Sequence, residues 1–234
     1  MCHRCPRARI IFVGSSSFPR ERDPLPSVLT SCLREAQRTG AVGPGDLEEQ
    51  IRQALGFFDG LDLPGGARVV DLGSGGGLPA LPLALAEPKT NWLLVEAWSR
   101  RAAMLRRFVR QLELQQRVRV VTGRAEDLGR GAERSQADIV VARSFGPAAV
   151  ALECAAPLLR VGGVAVLSVH ADDGPWPEDK LVLLGLTVDR NWRCGKFHYR
   201  AARAIELCVP RYPRSPGEPK QRPLFAGTRR ESDH

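Results

Sequence analysis

The stretch 68-RVVDLGSGGGLPALPLAL-85 sets four glycines, Gly73, Gly75, Gly76 and Gly77, directly after a strand-like apolar run. Glycine loses more backbone freedom on folding than any other residue, so such a cluster needs a cause. A tight turn is one cause. The other is a ligand that must come closer to the main chain than a Cβ would allow. In an open parallel α/β sheet, ligands bind beyond the carboxyl ends of the strands, where the strand order switches. The loop after a first strand is the natural place for one.

Outward from this loop the pattern is regular. Short β-branched runs at 68–72, 92–96, 118–122, 138–142 and 163–169 alternate with helical spacing at 79–86, 99–113 and 147–159. A shorter segment at 124–130 reads as a brief helix or a turn. Alternating strands and helices predict an α/β fold with a parallel sheet covered on both faces. Two later strands, near 186–191 and 203–209, have no helix between them and read as an antiparallel pair closing the sheet. Asp46 is a plausible N-cap for a helix carrying Glu48 and Glu49 in its first turn and Ile51, Leu55 and Phe58 on one face. The expected organisation is an irregular N-terminal extension over 1–45, with room for a short helix at 27–38, a domain over 46–209, and a basic Pro/Arg-rich tail over 210–234.

The 234 residues carry a formal net charge of +8, and Lys89, Lys180, Lys196 and Lys220 are the only lysines among the basic residues. That balance favours an anionic partner such as nucleic acid. No apolar run reaches the roughly 18 residues needed to span a bilayer. Ile10–Val13 is too short a run for a secretory signal, which leaves a plain extension or an organelle transit peptide. Cys2 and Cys5 have ligand-like spacing, but no second pair follows, so no metal site is expected. Cys32, Cys154, Cys194 and Cys208 are isolated. They read as buried hydrophobes or free thiols in a reducing cytoplasm.

The loop spacing narrows the ligand. A dinucleotide fingerprint requires G-x-G-x-x-G, and the sixth position from Gly73 is Leu78. The pattern is instead D-x-G-x-G-x-G, led by Asp71. The second strand ends on an acid, Glu96, which can accept hydrogen bonds from both hydroxyls of an adenosine ribose. Gly73, Gly75, Gly77 and Glu96 together point to a nucleoside without a bridging pyrophosphate, with S-adenosylmethionine foremost.

The chain also resembles the RsmG (GidB) family of bacterial 16S ribosomal RNA guanine-N7 methyltransferases. "VVDLGSGGGLPALPLAL" is similar to that family's cofactor loop, and "LLVEAWSRRAAMLRRFVRQLEL" to its second strand and following helix. "VVTGRAEDL" and "DIVVARSFGP" resemble its third and fourth strand ends, and "RYPRSPGEPKQRPL" its closing segment. The resemblance spans roughly residues 55–224. It implies a class I S-adenosylmethionine-dependent methyltransferase fold, Rossmann-like, with a mostly parallel sheet and an antiparallel last strand. It further implies cofactor contacts at Gly73, Leu78, Ala125, Glu126 and Arg143, and a ribosomal RNA or small-subunit substrate. Arg143 would orient either the cofactor carboxylate or the guanine. The chain departs from the family at Phe57, Ala80 and His170, where the family has His, Gly and Lys. Phe57 and His170 are expected on the acceptor side.

Over 99–113, Met104, Leu105, Phe108, Val109 and Leu112 recur at helical spacing and should face the sheet. Arg100, Arg101, Arg106, Arg107 and Arg110 occupy much of the remainder, either as a solvated face or as a grip on RNA phosphates. Guanine N7 carries a free lone pair and loses no proton when it attacks a methyl group. In-line positioning can then supply most of the catalysis, which agrees with the absence of a His/Asp or Cys/His constellation. Two alternatives remain at this level: a diverged methyltransferase acting on a small molecule or another RNA, and a noncatalytic RNA- or ribosome-binding protein on the same fold.

Overall fold

The structure is a computed structural model that describes residues 25–226. Seven strands form one sheet in the order β3-β2-β1-β4-β5-β7-β6. They are β1 (Arg68–Leu72), β2 (Asn91–Glu96), β3 (Val118–Thr122), β4 (Ala137–Ala142), β5 (Leu159–Val169), β6 (Leu186–Cys194) and β7 (Phe197–Ala204). β1 lies inside the sheet, parallel to both β2 and β4. β7 runs antiparallel to β5 and β6, as expected of a mostly parallel sheet with an antiparallel closing pair.

The apolar runs become strands because the sheet is buried on both sides. Side chains alternate between its faces. Val69, Leu94, Val141 and Val166 join one core with the helices α1 (Ser27–Arg38), α2 (Leu47–Leu55), α3 (Ala80–Ala86) and α4 (Ser99–Gln111). Their neighbours Val70, Leu93, Val140 and Leu167 join a second core. α6 (Ala148–Ala155) and the shorter α5 (Ala125–Leu128) and α7 (Glu178–Val182) supply that side. Asp46 caps α2 as expected, its side chain accepting from the Glu49 N–H at 2.7 Å.

Four expectations are corrected. Residues 27–45 belong to the domain: α1 buries Leu29, Cys32, Leu33 and Ala36, an i, i+3, i+4, i+7 stripe, in the first core. The part of the extension over 1–24 lies outside the described residues, as do Cys2 and Cys5. The segment from 210 is also packed through residue 226, with Tyr212 buried and Pro219 buried within α8 (Glu218–Gln221). β7 occupies 197–204 rather than 203–209. The hairpin from β6 turns at Gly195, in the left-handed region at φ +57°, so pairing resumes at once, and the alternation of Ile205, Leu207 and Val209 falls outside the sheet. Finally, α6 stops at Ala155. A 3-10 turn holding Pro157 follows, and β5 begins at Leu159, four residues early.

Candidate functional site

The strand order switches between β1 and β4, and the glycine loop leaves β1 there. Glu96, at the end of β2, is buried and reaches across to that loop. Its Oε2 accepts from the Gly75 N–H at 2.9 Å and its Oε1 from the Trp98 N–H at 2.8 Å. Two of the residues expected together are therefore bonded to each other, and each carboxylate oxygen retains a further lone pair.

The glycines have a second cause besides a ligand. Gly73, Gly75 and Gly77 all have positive φ, which L side chains rarely adopt. Gly75, at φ +52°, is strained for any other residue, and a Cβ there would sit 3.1 Å from the Ala41 carbonyl. A Cβ on Gly76 would meet Val42 at 2.5 Å and Ala36 at 2.7 Å. Close packing against α1 and the α1–α2 connection thus requires small residues here whether or not a ligand is bound. Leu78 is buried in the first core.

Asp71, only the loop's leading acid in the sequence reading, is the most unusual group present. It is 1% exposed, and among the described residues neither carboxylate oxygen has a hydrogen-bond partner. The Ser74 hydroxyl donates to the Asp71 main-chain carbonyl instead, at 3.1 Å. Burial pushes the Asp71 carboxyl well above the usual carboxylate range; the polar Ser74 side chain beside it opposes this, the negative charge of Glu96 adds to it, and Arg143 opposes it. Arg143 follows β4. Its Nη2 donates to Gln50 Oε1 at 2.9 Å, and Gln50 donates in turn to the Gly43 carbonyl at 3.1 Å. Its Nη1 is buried and without a partner, and burial lowers its pKa. The next residue, Ser144, sits at φ +53°, a strained conformation of the kind that gathers at functional sites. An unsatisfied buried carboxylate and an unsatisfied buried guanidinium N–H beside one glycine loop are what a zwitterionic ligand would satisfy. The sequence signal for Asp71 was an acid inside an otherwise apolar strand.

Ala125 and Glu126 open α5 and are buried, but the Glu126 side chain is engaged elsewhere. Its Oε1 accepts from the Gly217 N–H at 2.9 Å and lies 3.5 Å from Arg124. It anchors the C-terminal segment.

Beyond the ends of β4 and β5 lies a cavity of about 660 Å³, within the usual range for small-molecule sites. Phe145, Trp176, Phe197, His170, Lys196 and His198 contribute to its wall. His170 is thus on this side, as expected; its main-chain N–H donates to Asp173 Oδ2 at 2.9 Å. Phe57 is not. It is fully buried, edge-on to Tyr199 with ring centroids 5.0 Å apart. A residue of the α2 helix just before it, Gln53, reaches the cavity instead. Ala80 is fully buried in α3, its methyl accommodated in the first core.

The arginines of α4 divide. Arg106 Nη2 donates to the Val120 carbonyl at 3.2 Å and to Thr122 Oγ1 at 2.7 Å, tying α4 to β3. Arg107 pairs with Glu35 of α1. Arg101 donates to the Gly40 carbonyl at 3.3 Å and lies over the Trp98 ring. Arg100 and Arg110 are exposed. The stripe is therefore partly structural, because its acid comes from another helix and not from i,i+4 partners.

Among the described residues no cluster of His, Cys, Asp or Glu could hold a metal ion, and no helix is long and apolar enough to cross a membrane.

The fold is shared with solved methyltransferases at low identity. An O-methyltransferase from Bacillus cereus, solved in complex with SAH, aligns with a TM-score of 0.54 and 17% identity over 77% of this chain and 92% of its own. A protein from Corynebacterium glutamicum aligns at TM-score 0.55 and 18% identity, over 79% and 92% of the two chains. Sequence relatives are closer. A ribosomal RNA small subunit methyltransferase G from Chloroflexus aggregans is 37% identical over 174 residues, covering 68% of this chain and 70% of the relative. One of the same name from Moorella thermoacetica is 31% identical over 206 residues, covering 80% and 84%. The family model described as rRNA small subunit methyltransferase G matches residues 48–172. On that match and these identities, the chain belongs to the rRNA small subunit methyltransferase G (GidB) family.

Proposed function

We propose that this protein uses S-adenosylmethionine to methylate N7 of a guanine in 16S rRNA of the small ribosomal subunit, in the cytoplasm. The observation that carries the reading is the paired deficit at the switch point: the Asp71 carboxylate and Arg143 Nη1, both buried and unpartnered. S-adenosylmethionine bears an ammonium, a sulfonium and a carboxylate, so its charges match that deficit. When bound, it supplies an activated methyl group. Asp71 would face the cationic end and Arg143 Nη1 the carboxylate. Glu96 would accept from the ribose while still holding Gly75. Gly73, Gly75, Gly77 and Leu78 shape the loop beside it, with Ala125 and the main chain of Glu126 at its far end.

The aromatic-walled cavity beyond β4 and β5 suits an extruded base. Phe145, Phe197 and Trp176 offer ring faces, and His170, Lys196 and His198 offer polar edges. No group there has to remove a proton, because N7 carries none.

Calorimetry of the purified protein should detect S-adenosylmethionine binding. Glu96→Ala should weaken it by about 1.5–3 kcal/mol, the scale of one lost hydrogen bond to a charged group, and the loop also loses its clamp. A folded wild-type protein that binds no cofactor sinks the enzyme reading. Mapping of methylated guanines in 16S rRNA with and without the protein tests the acceptor.

His170 distinguishes the acceptor chemistries. With an N7 acceptor, His170→Ala should hold single-turnover rates within about 3-fold of wild type, whereas losing a general base costs roughly 10²–10⁴-fold. A loss of the latter size, with a pH limb removed from the rate profile, would favour a hydroxyl or amine acceptor.

A further inference from the structure

We propose that Trp98 and Arg101 form a stacking platform for an unpaired nucleotide of the RNA that carries the methylated guanine. This inference rests on the reading of the protein as an rRNA methyltransferase. Trp98 is 67% exposed, the most exposed large hydrophobic side chain among the described residues. Trp92 and Trp176 are buried, at 3% and 5%. An indole left in water forgoes one of the larger apolar burials a side chain can make, and this one is not left loose. The Trp98 main-chain N–H donates to Glu96 Oε1 at 2.8 Å, and its carbonyl accepts from the Ala102 N–H at 2.9 Å. The main chain that carries the ring is therefore fixed between the clamp on the glycine loop and the first turn of α4.

Its surroundings are cationic. The Arg101 guanidinium carbon lies 5.0 Å from the ring centroid. Arg100 is exposed beside it, and α4 contains no acidic residue from Ser99 to Gln111. The nearest acids are committed: Glu96 to two main-chain N–H groups, Glu35 to Arg107. An exposed aromatic ring with arginine over it, in a field without competing carboxylates, is complementary to a base and its phosphate. Every base has a π-face, and aromatic stacking with cationic support is how single strands are held. The sequence lacks an aromatic-interleaved strand of the RNP type, so this protein would supply stacking from a loop instead. The position also matters. Trp98 lies two residues beyond Glu96, after β2 and across β1 from the cavity beyond β4 and β5, so a nucleotide stacked there would brace the RNA on the far side of the cofactor site from the guanine presented for methylation.

The test uses the full chain with unmodified 16S rRNA transcribed in vitro. Trp98→Ala should weaken RNA binding about 5- to 30-fold, in the range for losing one stacked base. The slope of affinity against salt should stay as in wild type, since no charge is removed. Trp98→Phe should recover most of the loss, and cofactor affinity measured by calorimetry should match wild type in both variants. RNA affinity unchanged in Trp98→Ala would overturn the platform. So would a parallel fall in cofactor affinity, which would place the ring over the adenine instead. If the wild-type protein itself neither binds nor methylates this RNA, the rRNA reading fails and the platform fails with it. Failure confined to the variants' predictions leaves that reading intact.

Discussion

Asp71→Asn should lower S-adenosylmethionine affinity by about 2–5 kcal/mol, roughly 30- to 4,000-fold, the cost of removing one member of a buried charge pair. The same change should stabilise the cofactor-free protein at neutral pH. Both effects come from one carboxyl group, 1% exposed and without a hydrogen-bond partner. Burial, with Glu96 nearby, holds its folded pKa well above the ordinary value. An unfolded Asp titrates near 3.9, so above that pH and up to the raised value the folded state holds more protons than the unfolded state. Stability must therefore fall as pH rises through this window. Asn cannot ionise, so the variant loses that slope. Thermal melts of wild type and variant from about pH 4 upward, without cofactor, should diverge with the variant the more stable at high pH. Cofactor binding should show the opposite trend. A cationic ligand pairs with the ionised carboxylate, so wild-type affinity should rise with pH while the variant's stays flat. Equal affinity in the two proteins would remove Asp71 from the site. Such a trade, stability given up for a charge positioned to bind, is common where function and folding compete for one residue.

What could be read before folding and what could not separate along one line. Val69-Val70-Asp71-Leu72 is legible as a central strand because burial on both faces needs a nearly continuous apolar run. Glu96 is legible because an acid ending such a run must have a polar reason to be there, and it does bond to Gly75. Asp46 is legible as a cap because its partner is three residues away. What was not legible depends on distant partners. Arg107 looked unpaired because no acid lies within its helix, yet Glu35 lies 72 positions away. The side-chain partner of Glu126 was not legible either: Oε1 accepts from Gly217, 91 positions on. Phe57 looked like an acceptor-side residue, and Tyr199 encloses it. The Pro/Arg-rich composition of 210–226 resembles a solvated tail because its anchor, Glu153, sits inside the apolar stretch of α6.

That anchor carries the other large effect. Glu153 is fully buried, and its carboxylate is satisfied by one residue: the Arg214 main-chain N–H at 2.9 Å, Nε at 2.8 Å and Nη2 at 2.6 Å. Arg214 Nη2 also reaches the Arg222 carbonyl at 2.7 Å, fastening the turn that carries α8. Arg214→Ala keeps the main-chain bond but removes the neutralising charge from a carboxylate with no route to water. Breaking a buried pair on one side costs about 3–5 kcal/mol, which for a domain of this size lowers Tm by about 6–20 °C. Replacing both partners, Glu153→Leu with Arg214→Leu, should recover most of that loss, because two apolar groups can pack where one stranded charge cannot. Thermal melts of the three proteins decide the matter. A solvated tail would leave Arg214→Ala within about 1 °C of wild type, as exposed substitutions usually do. The larger loss, with recovery in the double variant, would place residues 210–226 inside the cooperative unit. It would also explain how a segment so rich in proline and arginine holds Gly217 against Glu126 at one end and Phe225 against the cavity wall at the other.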